Sequence, residues 1–211
     1  MPNLTERALI LKARRTLKDD ARLGAFVSSC GPLTFRRAHA EDPFQALCEA
    51  IIYQQISGNA AASILVRFRA LWPRAAFPTP RAVARMDIAR MRTCGLSLQK
   101  ATYLKDLAAK FLDGTVAPVQ FPKMSDEDII EHVCAVKGVG RWTAQMFLMF
   151  TLHRPDVLPT GDLGIQKAFQ RVFKLRTLPA PAQMEKLAAP WRGNRTVACF
   201  YLWRMLEVTA G

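Results

Sequence analysis

Histidine is nearly absent, and the few cysteines stand far apart. His39, His132 and His153 are isolated from one another, and Cys30, Cys48, Cys94, Cys134 and Cys199 are odd in number and widely scattered. Neither set has the close spacing of a zinc or iron–sulfur ligand group, and five thiols do not form a paired disulfide framework. Reduced, mostly buried thiols and no metal are therefore expected. No apolar run approaches the ~18–20 residues of a spanning helix, and no N-terminal stretch reads as a signal peptide, so a soluble, cytoplasmic protein without a membrane partner is expected. Period-2 alternation, internal repeats and low-complexity segments are also missing, which points to an all-α protein. Acid is in short supply as well. Seventeen Asp and Glu face 30 Lys and Arg, a formal charge of +13 over 211 residues, and a surplus of that size draws a protein toward a polyanion, with nucleic acid the first candidate.

What is present is helical spacing with clear punctuation. Arg7 to Arg22 carries apolar residues at helical intervals, and so does Pro43 to Trp72, through Phe44, Leu47, Ile51, Ile52, Ile56, Ile64, Leu65 and Phe68. Pro73, Pro78 and Pro80 break regular structure before a basic helical stretch through Val83, Met86 and Ile88. Ser97 is placed to cap a helix from Leu98 to Phe111, closed by Asp113-Gly114, and Pro118 and Pro122 fall in a loop. Ser125-Asp126-Glu127-Asp128 puts a capping residue and three acids on a first turn, where the helix dipole favours negative charge. That helix is expected to stop at Gly138 and another to start after Gly140. Further helices are expected at Leu163 to Phe173 and Val197 to Val208.

Val136-Lys137-Gly138-Val139-Gly140 joins two of these helices by a turn so short that glycine is needed for its dihedrals and close backbone approach. Glycine amides opening a helix make an anion site, and phosphate is the anion a basic protein meets. A Gly-x-Gly turn alone is also compatible with a plain αα-hairpin. The neighbours are more specific. Val136-Lys137-Gly138-Val139-Gly140-Arg141-Trp142-Thr143-Ala144, followed by Leu158-Pro159-Thr160-Gly161-Asp162-Leu163-Gly164, resembles the helix-hairpin-helix and Gly/Pro…Asp signature of base-excision DNA glycosylases, and in particular the 3-methyladenine DNA glycosylase II family. Ala50-Ile51-Ile52-Tyr53-Gln54-Gln55-Ile56-Ser57 resembles that family's wedge-loop segment, Gly95-Leu96-Ser97 with Lys100-Ala101 a later turn and helix, and Trp191 with Trp203 its C-terminal helix. The resemblance covers roughly Pro43 to Glu207 and is to the compact form, without an extra N-terminal β-domain.

The resemblance implies two helical subdomains with a DNA-binding cleft between them, the first at residues 43–152 with its hairpin at 136–140, the second built from 1–42 plus 153–211. It implies double-stranded DNA with damaged bases as partner, a monomer acting on the nucleoid, and no cofactor beyond a monovalent cation that the hairpin could share with a DNA phosphate. Cutting a base–sugar bond requires the nucleotide to be rotated out of the stack. The hairpin residues Gly138, Val139 and Gly140, with Arg141 and Thr143, would hold the backbone, Gln55 would fill the gap with Gln54 one register away, and Arg195 resembles a further backbone contact.

Asp162 stands 22 positions after Gly140 (162 − 140), just before a helical pattern. An N-cap is the ordinary role of such an Asp, and the motif adds a catalytic one, since a carboxylate can stabilise a developing oxocarbenium ion and orient the attacking water. Trp142 occupies the position where backbone-nicking relatives keep a Schiff-base lysine, and a tryptophan forms no imine; Lys137 and Lys167 fall outside that position. A monofunctional, water-using glycosylase is implied. Trp142, Trp203, Tyr53 and Met146 would line the base pocket, where indole faces attract a cationic alkylated purine such as 3-methyladenine or 7-methylguanine; Met146 departs from relatives that place an aromatic there. Hypoxanthine and ethenoadenine stay open as substrates. Two other readings also stay open: a helix-hairpin-helix module that binds DNA without chemistry, which would have no use for Asp162, and a glycosylase/lyase for oxidised bases, which Trp142 disfavours.

Overall fold

A computed structural model of the chain describes residues 4–31, 33 and 42–208. His39 and the remainder of the 1–42 segment lie outside the described residues. Among the described residues the protein is helical and no strand forms. The chain divides into two compact units, Met1–Ala38 with Leu152–Gly211, and His39–Thr151.

Among its described residues the second unit holds seven α-helices, α3 (Pro43–Tyr53), α4 (Gly58–Ala70), α5 (Pro80–Arg85), α6 (Ile88–Arg92), α7 (Leu98–Leu112), α8 (Asp126–Cys134) and α9 (Arg141–Phe150), and a 3₁₀ turn at Pro118–Lys123 where a loop was expected. All but α9 start at a side-chain cap: Asp42, Ser57, Thr79, Asp87, Ser97 and Ser125 each accept a backbone N–H at N3, and Ser125 with Asp128 forms a capping box. A cap of this kind contributes typically ~1 kcal/mol. Helix α7 is the centre of the unit, packing against α3, α5 and α6. Its Leu104 and Leu107 are buried with Leu47, Ile51 and Ile52 of α3, Val83 and Met91. The Phe44 and Phe111 rings meet edge to face at 5.1 Å, a preferred aromatic geometry.

The first unit holds α1 (Leu4–Lys18), α2 (Gly24–Cys30), α10 (Leu163–Val172), α11 (Pro181–Leu187) and α12 (Arg195–Val208). Helix α12 packs on α10, α1 and α2. Phe169 of α10 stands 5.4 Å from the buried Trp191, edge to face.

Several expectations need correction. The Pro43–Trp72 helix is two helices parted at Gln54–Ser57, because Gln55 takes φ +56° and Ser57 caps anew. No glycine or proline precedes that break. The helix expected to run to Arg22 ends at Lys18, where Asp20 accepts the amides of Arg22 and Leu23 in a turn, and α2 starts afresh at Gly24. The stretch through Val83 to Ile88 is two short helices, since Asp87 restarts the second. Trp191 sits in a 3₁₀ turn before the last helix and is core. Helix α11 carries only Ala182, Met184 and Leu187 as apolar side chains after its opening proline, too little periodicity to mark a helix in the sequence.

Candidate DNA-processing site

Around the glycine hairpin, α8 ends at Cys134 and α9 begins after Gly140, so the connection is Ala135 to Gly140. Gly138 has φ +79°, and a Cβ there would lie 2.1 Å from Cδ2 and Cε2 of Tyr103. Only glycine fits. Gly140 is different: its φ is −96°, no atom lies within 4 Å of where its Cβ would be, and it caps α9 with no side-chain bond. The first intrahelical bond of α9 runs from Ala144 N–H to the Gly140 carbonyl at 3.0 Å. The amide of Val139 donates back to Val136 at 3.1 Å and its side chain is buried, which takes Val139 out of the expected anion set. Thr143 is also buried, so its side chain is not presented to a backbone. Arg141 pairs with Glu127 of the α8 first turn, its Nη2 2.8 Å from Oε2, and this bond holds the Glu127 carboxyl below its ordinary pKa.

The wedge-like turn is fastened to this hairpin. Gln54 Nε2 donates to the Gly138 carbonyl at 2.9 Å, while Lys100 Nζ donates to the carbonyls of Ile52 and Gln54, both at 2.7 Å. Burial lowers the pKa of that ammonium from its ordinary value. Gln55, next along, is exposed in the left-handed region. A non-glycine residue in that region costs of order 1–3 kcal/mol and persists only where its surroundings hold it. Tyr53 and Ile56 flank the turn and are 42% and 39% exposed. Trp142, at the second position of α9, is half exposed, and Met146 one turn on is half-buried.

In the other unit, Asp162 caps α10. Its Oδ1 accepts two N–H groups, from Ile165 at 2.8 Å and from Trp203 Nε1 at 3.0 Å. Trp203 is thus bonded to the carboxylate as well as available in part to solvent. Gly164 makes room for the pair: a Cβ there would stand 3.0 Å from Asp162 Oδ1 and 3.2 Å from the Trp203 ring. Cys199, buried one turn before Trp203 on α12, has its thiol pushed far up by burial and then by the Asp162 charge. The loop that delivers Asp162 is pinned to the start of α12. Thr196 Oγ1 accepts from Val157 N–H at 3.0 Å and donates to the Arg154 carbonyl at 2.6 Å, and Arg195 reaches Asp156 through Nε to Oδ1 at 2.8 Å and Nη2 to Oδ2 at 3.0 Å. Burial alone would depress the Arg195 pKa, and the bonds and charges of Asp156 and Glu185 more than offset it. Arg195 was expected on a DNA backbone. The structure spends its guanidinium on Asp156 and Glu185, and its side chain is only 19% exposed.

Among the described residues no cluster of His, Cys, Asp and Glu is suited to hold a metal, and no helix is long and apolar enough to cross a membrane. A glycine-bracketed hairpin and a capping aspartate 22 residues beyond it (162 − 140) coincide with a family match over residues 48–192. The chain belongs to the HhH-GPD superfamily of base excision DNA repair proteins. DNA-3-methyladenine glycosylase 1 of Schizosaccharomyces pombe is 34% identical over 170 residues, 80% of this chain and 75% of that protein. The S. pombe 3-methyladenine DNA glycosylase in complex with abasic DNA superposes with a TM-score of 0.81 at 31% identity, covering 95% of this chain and 98% of that one. A DNA-3-methyladenine glycosidase of Bacillus halodurans gives 0.85 at 29% identity, covering 94% and 90%.

Within this HhH-GPD protein the structure brings together Gln54 with the hairpin, and Asp162 with Trp203. Trp142, Met146 and Tyr53 share one unit, and Trp203 belongs to the other. Lys100, Tyr103 and Asp106 had no role assigned from sequence. Their spacing of three puts them on one face of α7, which is the signal that could have found them. Asp156 carried no signal, because its arginine partner lies 39 residues away.

Proposed function

We propose that this protein is a monofunctional DNA glycosylase that hydrolyses the N-glycosidic bond of alkylated purines, with Asp162 as its catalytic carboxylate. The observation that carries the reading is the anchoring of Asp162: one oxygen accepts both a helix amide and an indole N–H, so the carboxylate is fixed in direction before any substrate arrives. Preorganised charge of this kind stabilises a transition state without reorganising when the reaction occurs.

In the proposed reaction the C1′–N bond breaks with its electron pair leaving on the base. A base alkylated at a ring nitrogen is cationic, so it departs neutral and needs no general acid. The sugar becomes oxocarbenium-like, and the Asp162 negative charge stabilises it. Water adds to C1′ and loses its proton to the carboxylate or through it to solvent. The half-exposed Trp142 supplies a face for the cationic base, and Met146 and Tyr53, in the same unit, are the other candidates for its lining. Gly140 and the amides at the start of α9 receive a backbone phosphate, and a monovalent cation could share that phosphate. Gln55, exposed in the left-handed turn, fills the space of the extruded nucleotide.

Replacing Asp162 by Asn tests this. Asn caps a helix as well as Asp does and can keep both bonds to its oxygen, but lacks the charge. Release of base from 7-methylguanine duplex in single turnover should fall by on the order of 10²-fold or more, with affinity for abasic-site duplex retained. A variant that kept more than about a tenth of the wild-type rate would remove Asp162 from the chemistry.

A further inference from the structure

We propose that Gln54 is a positioning residue that sets the wedge turn in register with the hairpin, so that insertion of Gln55 and grip on the backbone happen as one event. The inference rests on the glycosylase reading above and concerns how its DNA-handling parts are joined.

Gln54 and Gln55 are adjacent and chemically identical, yet their surroundings differ. The Gln54 carboxamide spans from the C-terminal end of α3 to the Gly138 carbonyl, 84 residues on, and donates to it at 2.9 Å. Its own carbonyl accepts from Lys100, 2.7 Å away. Both ends of the residue are therefore committed. Gln55, exposed and at φ +56°, projects from a turn that its neighbours hold.

Helix α7 braces both sides of this link. Lys100 holds the wedge-turn carbonyls, Tyr103 fills the space beneath Gly138, and Asp106 accepts the Lys137 amide at 2.8 Å. The three stand at intervals of three on one helix face. Tyr103 is itself steadied by Gln99, whose Nε2 donates to the phenol oxygen at 2.8 Å. The bracing by α7 is indirect, whereas Gln54 joins turn and hairpin by a single bond. A turn kept in a strained left-handed conformation needs such a tether, because otherwise the strain is relieved by moving Gln55. In a duplex, a wedge displaced by even about 1 Å loses its stacking position while the phosphate grip survives.

The test uses Gln54→Met, which keeps length and removes the donor, beside Gln55→Ala and the double variant. Three quantities are read on the full-length protein: affinity for undamaged duplex, fluorescence of 2-aminopurine placed beside an abasic analogue, and single-turnover release of 7-methylguanine. Gln54→Met should bind undamaged duplex as wild type does, while the fluorescence gain and the release rate each fall by about tenfold, as for lost orientation. Because Gln54 acts through Gln55, the double variant should be no worse than Gln55→Ala alone. Lys100→Met, which strips the carbonyls of Ile52 and Gln54 of their partner, should show the same pattern. Additive losses in the double variant, or wild-type fluorescence in Gln54→Met, would overturn the proposal. A wild-type protein that gives the fluorescence gain but releases no base would sink the glycosylase reading and leave the positioning role standing.

Discussion

The two hairpin glycines look alike in the sequence and should respond oppositely to substitution. At Gly138 an added Cβ meets the Tyr103 ring at 2.1 Å, and φ is +79°. Forcing an L-residue into the left-handed region costs roughly 1–2 kcal/mol, and overpacking a close contact costs about 1–3 kcal/mol. Gly138→Ala should therefore lose about 2–5 kcal/mol of stability, the sum of those two ranges. Carrying the same change into a Tyr103→Ala background should recover the packing part, about 1–3 kcal/mol, and leave the dihedral part. At Gly140 the backbone is already extended and the space around it open. Gly140→Ser supplies a cap, worth a few tenths of a kcal/mol over glycine. Its hydroxyl would take the α9 amides that the proposed phosphate needs. A hydrogen bond to a charged group is worth about 1.5–3 kcal/mol, so affinity for abasic-analogue duplex should drop by at least about tenfold. Urea unfolding followed by circular dichroism gives the stabilities, and fluorescence anisotropy at one fixed salt concentration gives the affinities. A Gly140→Ser protein that bound DNA as tightly as wild type would refute the phosphate role of the hairpin.

Other outcomes follow from the same geometry. Trp203→Phe removes one of the two donors to Asp162 Oδ1 and should slow base release by about tenfold, the weight of one bond to a charged acceptor; an unchanged rate would mean the indole does not orient the carboxylate. Gly164→Ala sets the roughly 1 kcal/mol by which Ala exceeds Gly in a helix against an overpacking cost of about 1–3 kcal/mol at Asp162 and Trp203, so stability should hold or fall slightly while the rate falls with the displaced carboxylate; thermal unfolding and single-turnover assays read the two effects separately. Borohydride added to the reaction should trap no protein–DNA crosslink, and breaks should appear only after alkali, because the position for an imine-forming lysine holds Trp142; efficient trapping would point to Lys137 or Lys167 and end the water mechanism. Thiol reagents on the native protein near pH 8 should reach at most Cys30 and Cys134, with Cys48, Cys94 and Cys199 reacting only on unfolding. The direction is set by burial, which raises the Cys48, Cys94 and Cys199 thiols and keeps thiolate scarce.

The parts of this fold that were legible in the sequence are those whose cause is local. Ser97, Ser125 and Asp162 announce helix starts because a cap needs only three residues of chain, and α7, α8 and α10 begin where those caps stand. The break after Tyr53 was illegible for the opposite reason. Ser57 caps the second helix locally, but the left-handed turn before it is held by a bond from Gln54 to Gly138, 84 residues on, and a pair from Lys100, 46 and 48 residues from the carbonyls they hold. Arg195 shows the same division: its charge suggested a DNA contact, and only the fold reveals that Asp156 has claimed it. The resemblance located Asp162 and the hairpin, but the Trp203 bond and the space left by Gly164 depend on how α10 and α12 pack, which no local pattern encodes.

Each unit solves a positioning problem by fixing a loop to a helix. In one, α7 and Gln54 hold a strained turn and a glycine hairpin together through side-chain bonds to main-chain carbonyls and amides. In the other, Arg195 and Thr196 pin the segment from Arg154 to Val157 to the same helix that carries Trp203, so the loop and the indole meeting Asp162 start from one rigid element. Main-chain partners matter here, because a carbonyl or amide cannot change rotamer and a side chain bonded to it inherits its precision. On the glycosylase reading we propose that substrate preference rests on Trp142, half exposed, and Met146, half-buried, in the unit that does not carry Asp162. Substitution at Met146 is accordingly expected to alter which alkylated purine is released fastest without disturbing Asp162, whose two anchors both lie in the other unit.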